Sequence, residues 1–299
     1  MRIRRVCFTL FVSVVILLFS VFPVNADTGP KPSVVVNFEL PDNEECYATL
    51  LSATEQLGPA SAWDGTEEGA YYDESEYEIW KAFVDFEDTD GYFFVQCLWR
   101  IDESKNLSWT YFPPSSFKIL VYFPQSNSFA VSGIYERYAF HSYFTVDMRD
   151  IETGTAEETD ITAEITHVYK SYDYTQEILS LFARIVITVI IESAVALLFG
   201  YRGRRQFGIV LAVNTATQIL LNVLLNIVNY HSGALAFVLA YIVFELLVIV
   251  TEALIFSRLL TTEDVRKRAC LRAVIYSVTA NVCSFILGLV IAQVMPGMF

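Results

Sequence analysis

Residues Ile178–Phe199 read ILSLFARIVITVIIESAVALLF, a run in which one arginine and one glutamate are the only charged side chains. A helix of about 20 apolar residues is long enough to cross the hydrocarbon core of a bilayer. Three further runs, at about 207–230, 234–256 and 271–294, have similar length and composition. The sequence therefore predicts an all-α, four-helix transmembrane domain over residues 177–299.

The rest of the chain differs in charge. Although 54% of the 299 residues are hydrophobic, the net charge is −14. Residues 27–176 contain 28 acidic and 8 basic residues, whereas residues 177–299 contain 6 and 9. This difference predicts an acidic, water-facing domain joined to a weakly basic membrane domain. The basic residues of the acidic half are scattered singly, so we expect no nucleic-acid partner.

The N-terminus has the pattern of a secretory signal peptide. Three arginines among the first five residues precede an apolar run, 6–22, and then the short segment Pro23–Ala26. Cleavage after Ala26 fits the small-residue rule, and an uncleaved anchor is the alternative. We therefore predict a signal peptide at 1–26 and export of the domain that follows it.

Residues 27–176 alternate short β-patterned runs with turns. The runs are rich in Val, Ile, Phe, Tyr and Thr. They lie at 33–39, 46–52, 91–100, 107–112, 117–123, 128–131, 138–148 and 161–170. Residues 76–87 break the pattern, because large apolar side chains recur there at helical spacing with carboxylates opposite. We predict an antiparallel β-rich, sandwich-like domain with one packed helix.

Two of the five cysteines lie in predicted strands of this domain, where oxidation is allowed. These are Cys46 and Cys97. A disulfide between them and a pair of separate buried thiols both fit the sequence, because the distance between two strands cannot be read from their residues.

Clustered basic residues set the orientation of the predicted spans. Residues 200–206 contain three arginines and residues 257–270 contain four basic side chains, whereas the loop 230–233 has no fixed positive charge. By the positive-inside rule, the two basic loops are cytoplasmic. Residues 27–176 and the C-terminus are then extracytoplasmic. The sequence thus predicts a multi-pass protein of the plasma membrane.

Polar side chains interrupt the apolar runs. They include Glu192, Asn214, Gln218, Asn222, Glu245, Glu252 and Asn281. A charged side chain in hydrocarbon costs a few kcal/mol, so it usually faces the bundle interior. A helix rises 1.5 Å per residue, and at this rise four of these side chains fall in one layer near the cytoplasmic side of the membrane. The four are Glu192, Asn214, Glu252 and Asn281. We predict an intramembrane polar site there.

The two halves of the membrane domain resemble each other. Aligning Glu192 with Glu252 places a basic turn after each, and then sets Asn214–Leu220 against Asn281–Leu287. Both hairpins run in the same direction, so the pattern predicts a parallel repeat about an axis along the membrane normal.

Two roles fit the polar site. One is packing, because hydrogen bonds between membrane helices contribute about 0.6–2 kcal/mol each. The other is a proton- or cation-coordinating pathway, which three glutamates favour because amides alone would serve for packing. Arg184 either pairs with Glu245 or extends to the membrane surface.

Known catalytic patterns are missing from the sequence. The predicted spans contain no histidine and no aspartate, and no G-x-S-x-G motif occurs. The segment Asp85–Gly91 departs from a calcium loop, since Phe86 stands where an acid is required. We expect no cofactor and no metal, and these absences argue against an enzyme, although an intramembrane hydrolase is kept as a third alternative to the two functions given below.

Several segments together resemble uncharacterised membrane proteins of Gram-positive gut anaerobes. The segments are Lys31–Val36, Phe117–Pro124, Tyr135–Phe140, Lys170–Tyr174 and the hairpin with Glu192 and Asn214. Those proteins have a signal peptide, an exported β-rich domain and a polytopic C-terminal part. The resemblance implies a bacterial plasma-membrane location and brings no activity with it.

Two functional hypotheses follow. The first is a receptor-like or accessory protein, because a large acidic domain outside the membrane suits an extracellular ligand or a protein partner. The second is a transporter or channel-like protein that uses the Glu/Asn seam for protons or cations. We expect a homo-oligomer in that case, because four helices seldom enclose a pathway alone.

Overall fold

The computed structural model describes residues 29–40, 45–66, 72–101, 105–149, 162–260 and 266–294. The predicted signal peptide, residues 1–26, lies outside these ranges. The chain divides into two compact units. We call the first, Lys31–Asp173, the β-rich unit, and the second, which contains Tyr174–Phe299, the helical unit.

The described residues of the β-rich unit form twelve strands and one α-helix. The strands are β1 (Ser33–Glu39), β2 (Cys46–Ser52), β3 (Gln56–Leu57), β4 (Ala60–Ser61), β5 (Trp99–Ile101), β6 (Asn106–Trp109), β7 (Ser116–Phe123), β8 (Ser128–Ser132), β9 (Tyr135–Glu136), β10 (His141–Asp147), β11 (Thr162–Ile165) and β12 (Val168–Lys170). The helix α1 spans Tyr77–Asp85, after a 3-10 turn at Glu74–Glu76. It lies within the predicted helix at 76–87.

Two sheets contain most of these strands. One has the order β12-β10-β1-β6, and the other has the order β11-β8-β7-β2-β5, with β9 also paired to β7. β1 pairs with β10 in parallel, and so does β8 with β11. The prediction of wholly antiparallel pairing is therefore wrong, and the sheets are mixed. A tight turn imposes antiparallel pairing on sequence neighbours such as β7 and β8, whereas the long connection from β1 to β10 does not.

Strand β2, which lies between β7 and β5, is buried on both of its faces. Leu50 packs into a core that it shares with Val36 of the other sheet. The next side chain, Leu51, packs into a second core, which contains Trp80 and Phe83 of α1. Because successive side chains of a strand point to opposite faces, both sets are apolar. The unit is therefore a sandwich-like pair of sheets with one packed helix.

Two predicted strands are shorter than expected. Of the run 91–100, only its end belongs to a strand, β5, while Phe93 forms an isolated bridge with Ser52. Gln96 has a φ of 58°, and this left-handed backbone interrupts an extended strand. The described part of the run 161–170 is divided between β11 and β12, which belong to different sheets.

Cys46 and Cys97 carry separate thiols, which is one of the two alternatives that the sequence leaves open. Cys46 lies opposite Ile101, whereas the carbonyl of Cys97 accepts a hydrogen bond from Thr49 at 2.6 Å. Three residues along a strand correspond to about 10 Å, which is beyond the reach of a disulfide. Burial raises the pKa of the Cys97 thiol.

The helical unit contains three helices that are long and apolar enough to cross a membrane, within the described part of the chain. They are α2 (Tyr174–Leu198), α3 (Arg204–Leu259) and α4 (Arg266–Val294). The prediction of four separate helices is therefore wrong. Two of the predicted spans, 207–230 and 234–256, both lie within the 56 residues of α3.

A reversal at Gly233 explains this difference. Its backbone, with φ 78° and ψ −178°, is not helical, and glycine adopts such angles without strain. Thr217 and Glu252 would be about 52 Å apart along a straight helix, but Thr217 Oγ1 lies 2.6 Å from Glu252 Oε1. The two halves of α3, residues 204–232 and 234–259, are therefore antiparallel to each other.

The end of α2 is held by a glycine motif. The amide of Tyr201 donates to the carbonyl of Ala196, and the amide of Gly200 donates to that of Leu197, both at 3.0 Å. Gly200 has a φ of 79°, as this Schellman motif requires. The motif turns the chain into a cluster in which Tyr201 packs with Tyr276 and Phe256. It thereby holds α2 against α3 and α4.

Candidate functional site

The interior of the helical unit is polar. All seven predicted site residues are less than one-tenth exposed. They are Glu192 on α2, Asn214, Gln218, Asn222, Glu245 and Glu252 on α3, and Asn281 on α4. Large apolar side chains lie on the outer surface instead, where Phe182 and Leu198 are 65% and 85% exposed. This arrangement suits a helix bundle surrounded by hydrocarbon.

Glu252 accepts short hydrogen bonds from two other helical segments. Thr217 Oγ1 donates to its Oε1 at 2.6 Å, and Asn281 Nδ2 donates to its Oε2 at 2.6 Å. The two donors come from the first half of α3 and from α4, so that this carboxyl group connects three helical segments. Two short bonds from two donors are typical of an ionised carboxylate.

Glu192 has longer hydrogen bonds than Glu252. Ser284 Oγ of α4 lies 3.4 Å from its Oε1, and its main-chain carbonyl accepts a bond of 3.3 Å from the Tyr276 hydroxyl. The same hydroxyl accepts a bond of 3.2 Å from Asn214 Nδ2. Tyr276 therefore links α2, α3 and α4 at the level of Glu192. Both Glu192 and Glu252 thus contact α4 within one turn, through Ser284 and Asn281.

Gln218 and Asn222 form a separate ladder along the first half of α3. Asn222 Nδ2 donates to the main-chain carbonyl of Gln218 at 2.9 Å and lies 3.5 Å from its Oε1. These bonds stay within one helix, so the pair lines the interior without a described bond to a carboxyl group.

Glu245 and Arg184 have partners of their own. The Tyr241 hydroxyl, one turn before Glu245 on α3, is hydrogen-bonded to its carboxyl group. Arg184 Nη2 donates to Asn226 Oδ1 at 3.1 Å, and its guanidinium lies 5.8 Å from the centre of the Phe237 ring. Of the two roles expected for Arg184, pairing with Glu245 is therefore absent among the described ion pairs.

Several buried oxygen atoms of the cluster have no hydrogen-bond donor. They are Glu192 Oε2, Asn214 Oδ1, Glu245 Oε2 and Asn281 Oδ1, within the described part of the chain. A buried acceptor without a partner costs about 1–3 kcal/mol. The cluster therefore offers lone pairs to a proton or a cation.

The cluster also has no internal counter-charge. Among the described residues, no lysine or arginine forms an ion pair with any of the three glutamates. Nor do these residues contain three His, Cys, Asp or Glu side chains placed to hold a metal ion together. The available ligands are the carboxyl groups of Glu192 and Glu252 and the neutral oxygens around them. Such a set suits a singly charged ion or a proton.

Sequence reasoning missed the hydroxyl groups of the site. Thr217 and Ser284 each contact a glutamate, and Tyr276 links α2, α3 and α4. Hydroxyl side chains are common in membrane helices, so spacing alone gave little reason to select them. A usable signal was present, because Thr217 and Ser284 occupy the same position in the alignment of Asn214–Leu220 with Asn281–Leu287.

The β-rich unit buries a charge in a different way. Lys118 Nζ lies 2.6 Å from Asp88 Oδ1 and 2.7 Å from Asp90 Oδ2, and the side chains of Lys118 and Asp88 are almost fully buried. Burial alone lowers the pKa of Lys118, but the hydrogen bonds to both aspartates outweigh it and leave the pKa raised. An ammonium group thus occupies the centre of the segment that resembles a calcium loop.

Comparison of the chain with protein-family models, with curated proteins and with solved structures gave no match. The case for a function therefore rests on the chemistry of the buried cluster.

Proposed function

We propose that this chain is an integral membrane protein whose helical unit binds and passes a proton or a monovalent cation at the cluster around Glu192 and Glu252. One observation carries the proposal, namely three buried glutamates whose described surroundings contain hydroxyls, amides and unpartnered oxygens but no paired cation. Ionisable residues inside a membrane usually mark such ion or proton pathways.

The proposal includes a membrane topology. Because α3 reverses at Gly233, we infer that it crosses twice, so that the helical unit makes four crossings. The basic loops at 200–206 and 257–270 are then cytoplasmic by the positive-inside rule. The β-rich unit is extracytoplasmic, after the predicted signal peptide at 1–26. Four crossings leave little room for a pathway inside one chain, so we expect a homo-oligomer.

Packing alone is a weaker explanation of the cluster. A cluster kept only for packing would have its donors and acceptors matched, because unmatched groups lose the stabilisation that hydrogen bonds provide. Asn281 uses its amide for Glu252 and for the carbonyl of Ser277, yet its own Oδ1 has no described partner. Among the seven site residues, four buried oxygens but only one buried donor, Gln218 Nε2, have no described partner, so that acceptors to which a proton or a cation could bind are in excess.

The test is flux through purified full-length protein in liposomes. Proton and sodium gradients are imposed in turn, and flux is followed with a pH-sensitive dye and with radioactive sodium. We expect flux from the native chain and at least about a tenfold loss in Glu192→Gln and in Glu252→Gln, as is typical when ligand-site groups are removed. Cys283→Ala, on the exposed side of α4 beside Asn281, is the matched control. Absence of flux from the native chain under both gradients would contradict the proposal.

A second function has an observation in its favour, the receptor-like role of the β-rich unit. A cavity of about 380 Å³ is lined by aromatic side chains and two acids, including Trp63, Phe86, Glu87 and Tyr92. Lys81 Nζ already lies 5.3 Å from the centre of the Trp63 ring, so that ring accepts a cation. An organic cation outside the cell is the ligand that this chemistry fits.

Tryptophan fluorescence of the full chain, titrated with spermidine and with tetramethylammonium, tests this second role. Saturable quenching that Tyr92→Leu abolishes is the expected result. A response that survives this substitution would contradict a site in the cavity.

A further inference from the structure

In the helical unit, a hydroxyl group of each hairpin copy contacts the glutamate of the other copy. In the alignment of the copies, Glu192 corresponds to Glu252 and Thr217 corresponds to Ser284. Thr217 of the first copy donates to Glu252 of the second at 2.6 Å. Ser284 of the second copy lies 3.4 Å from Glu192 of the first. Each carboxyl group is therefore bound by the hydroxyl of the other copy, which is the pattern that a local two-fold axis produces.

The backbone contacts of the two hydroxyls repeat the same relation. Thr217 Oγ1 lies 3.1 Å from the carbonyl of Asn214, three residues earlier. Ser284 Oγ lies 3.0 Å from the carbonyl of Asn281, also three residues earlier. These two asparagines are themselves equivalent in the alignment. Two pairs of equivalent contacts thus relate the two copies.

One departure from the symmetry is informative. Asn281 donates its amide to Glu252, whereas Asn214 donates its amide to the Tyr276 hydroxyl and leaves Glu192 Oε2 without a donor. Glu252 therefore accepts two short hydrogen bonds, whereas Glu192 Oε2 accepts none among the described residues.

We propose that the two copies form one shared site, which binds a single sodium-like monovalent cation between Glu192 and Glu252. This inference rests on the proposed function and names its ion. In this site Glu252, which accepts the two short hydrogen bonds, is the ionised member, and one cation balances its charge. The ligands are hard oxygen atoms, namely Glu192 Oε2, Asn214 Oδ1 and Asn281 Oδ1 beside the ionised Glu252, and such oxygens suit an alkali cation.

A shared site and two separate half-sites make different predictions about stoichiometry. Binding of radioactive sodium to the full chain in detergent, at a range of sodium concentrations, measures both affinity and capacity. The shared site predicts one sodium ion per chain and complete loss of binding in Glu192→Gln and in Glu252→Gln alike. Two half-sites would give two ions per chain, and each single substitution would leave half of the capacity, which would overturn the proposal.

The hydroxyl group of Thr217 gives a second test, in which we expect a partial loss of sodium affinity. Thr217→Val removes the donor to Glu252 and should weaken sodium binding about tenfold or more, as loss of a group that orients a ligand does. Thr217→Ser keeps the hydroxyl and should restore the native affinity, and Cys283→Ala should not change it. Equal affinities for Thr217→Val and Thr217→Ser would contradict the role of the hydroxyl, provided that both variants elute as the native protein does.

The ion itself is tested separately from the pathway. Potassium or calcium at the same concentration should not displace sodium from the shared site. If liposomes show proton flux but the chain binds no sodium, the sodium-like ion is wrong while the proposed function holds. If there is neither flux nor binding, both are wrong.

Discussion

The two units of this molecule have opposite interiors. In the β-rich unit, Val36, Leu50 and Phe144 are fully buried, and most polar side chains lie outside. In the helical unit, Glu192 and Asn281 are fully buried, while large apolar side chains cover the surface. Each unit places outward the side chains that its solvent accepts, water in one case and hydrocarbon in the other.

Buried charge shows the same contrast more sharply. Lys118 is enclosed with two aspartates, so that the β-rich unit contains its own counter-charges. The helical unit buries the three carboxyl groups of Glu192, Glu245 and Glu252, and no described lysine or arginine forms an ion pair with them. The first arrangement is complete in itself, and we infer that it is structural. The second has no paired cation of its own, and we infer from this difference that a proton or a cation binds there.

The largest expected effect comes from removing Lys118 from its buried ion pairs with Asp88 and Asp90. Lys118→Met leaves Asp88 buried without its cation and should lower the free energy of unfolding by about 3–5 kcal/mol. Lys81→Met is the matched control, because Lys81 pairs with Asp85 on the surface and an exposed pair contributes about 0–1 kcal/mol. Hydrogen exchange of the β7 amides in the full chain measures both. Equal protection in the two variants would show that the buried pair is not structural.

The next effect concerns the reversal at Gly233, which brings the two halves of α3 and their buried polar side chains together. Gly233→Ala forces a side chain into a backbone conformation with φ 78° and should destabilise the helical unit by about 1–3 kcal/mol. Gly208→Ala, at a helical position with open space around it, should be neutral or stabilising by up to about 1 kcal/mol. Circular dichroism at 222 nm during heating in detergent compares them. A milder effect at Gly233 than at Gly208 would rule out a strained reversal.

Short-range patterns predicted much of this architecture. The bounds of β1 and β2 were predicted from their apolar runs, and the division into a β-rich and an apolar helical part is confirmed. The candidate site was found because polar residues in an apolar helix are conspicuous, and the structure buries all seven of them. Such features depend on residues close in sequence and on the solvent.

Features that depend on distant residues could not be predicted. The parallel pairing of β1 with β10 joins strands from opposite ends of the β-rich unit. The partners of Glu252 and Arg184 depend on how far each helix is rotated, and spacing in the sequence leaves that rotation free. The burial of Lys118 was missed because a single lysine in a strand normally extends into water.

A smaller effect on stability distinguishes the charge of Glu252 from its hydrogen bonds. Glu252→Gln should change the stability of the helical unit by less than about 1 kcal/mol, because its carbonyl oxygen can still accept from Asn281 and its amide can donate to Thr217. The Thr217 hydroxyl is able to turn its proton toward the carbonyl of Val213 or Asn214, each at 3.1 Å. Glu252→Leu leaves one N–H group of the Asn281 amide unpaired, while the other still donates to the carbonyl of Ser277, and should cost about 1–3 kcal/mol. If both variants melt alike in detergent, these hydrogen bonds contribute nothing to stability.

The smallest effect is a pH dependence in the β-rich unit. His141 Nδ1 lies 2.7 Å from Ser33 Oγ, and burial lowers the pKa of its imidazole. The unfolded chain therefore binds a proton more readily than the folded unit does, so stability is complete above the ordinary pKa of about 6.5 and decreases as the pH falls below it. One proton limits the slope to about 1.4 kcal/mol per pH unit. Unfolding between pH 5 and 8 should show this slope, which His141→Asn removes and His167→Asn, at an exposed position, retains. An unchanged slope in His141→Asn would assign the acid sensitivity to another group.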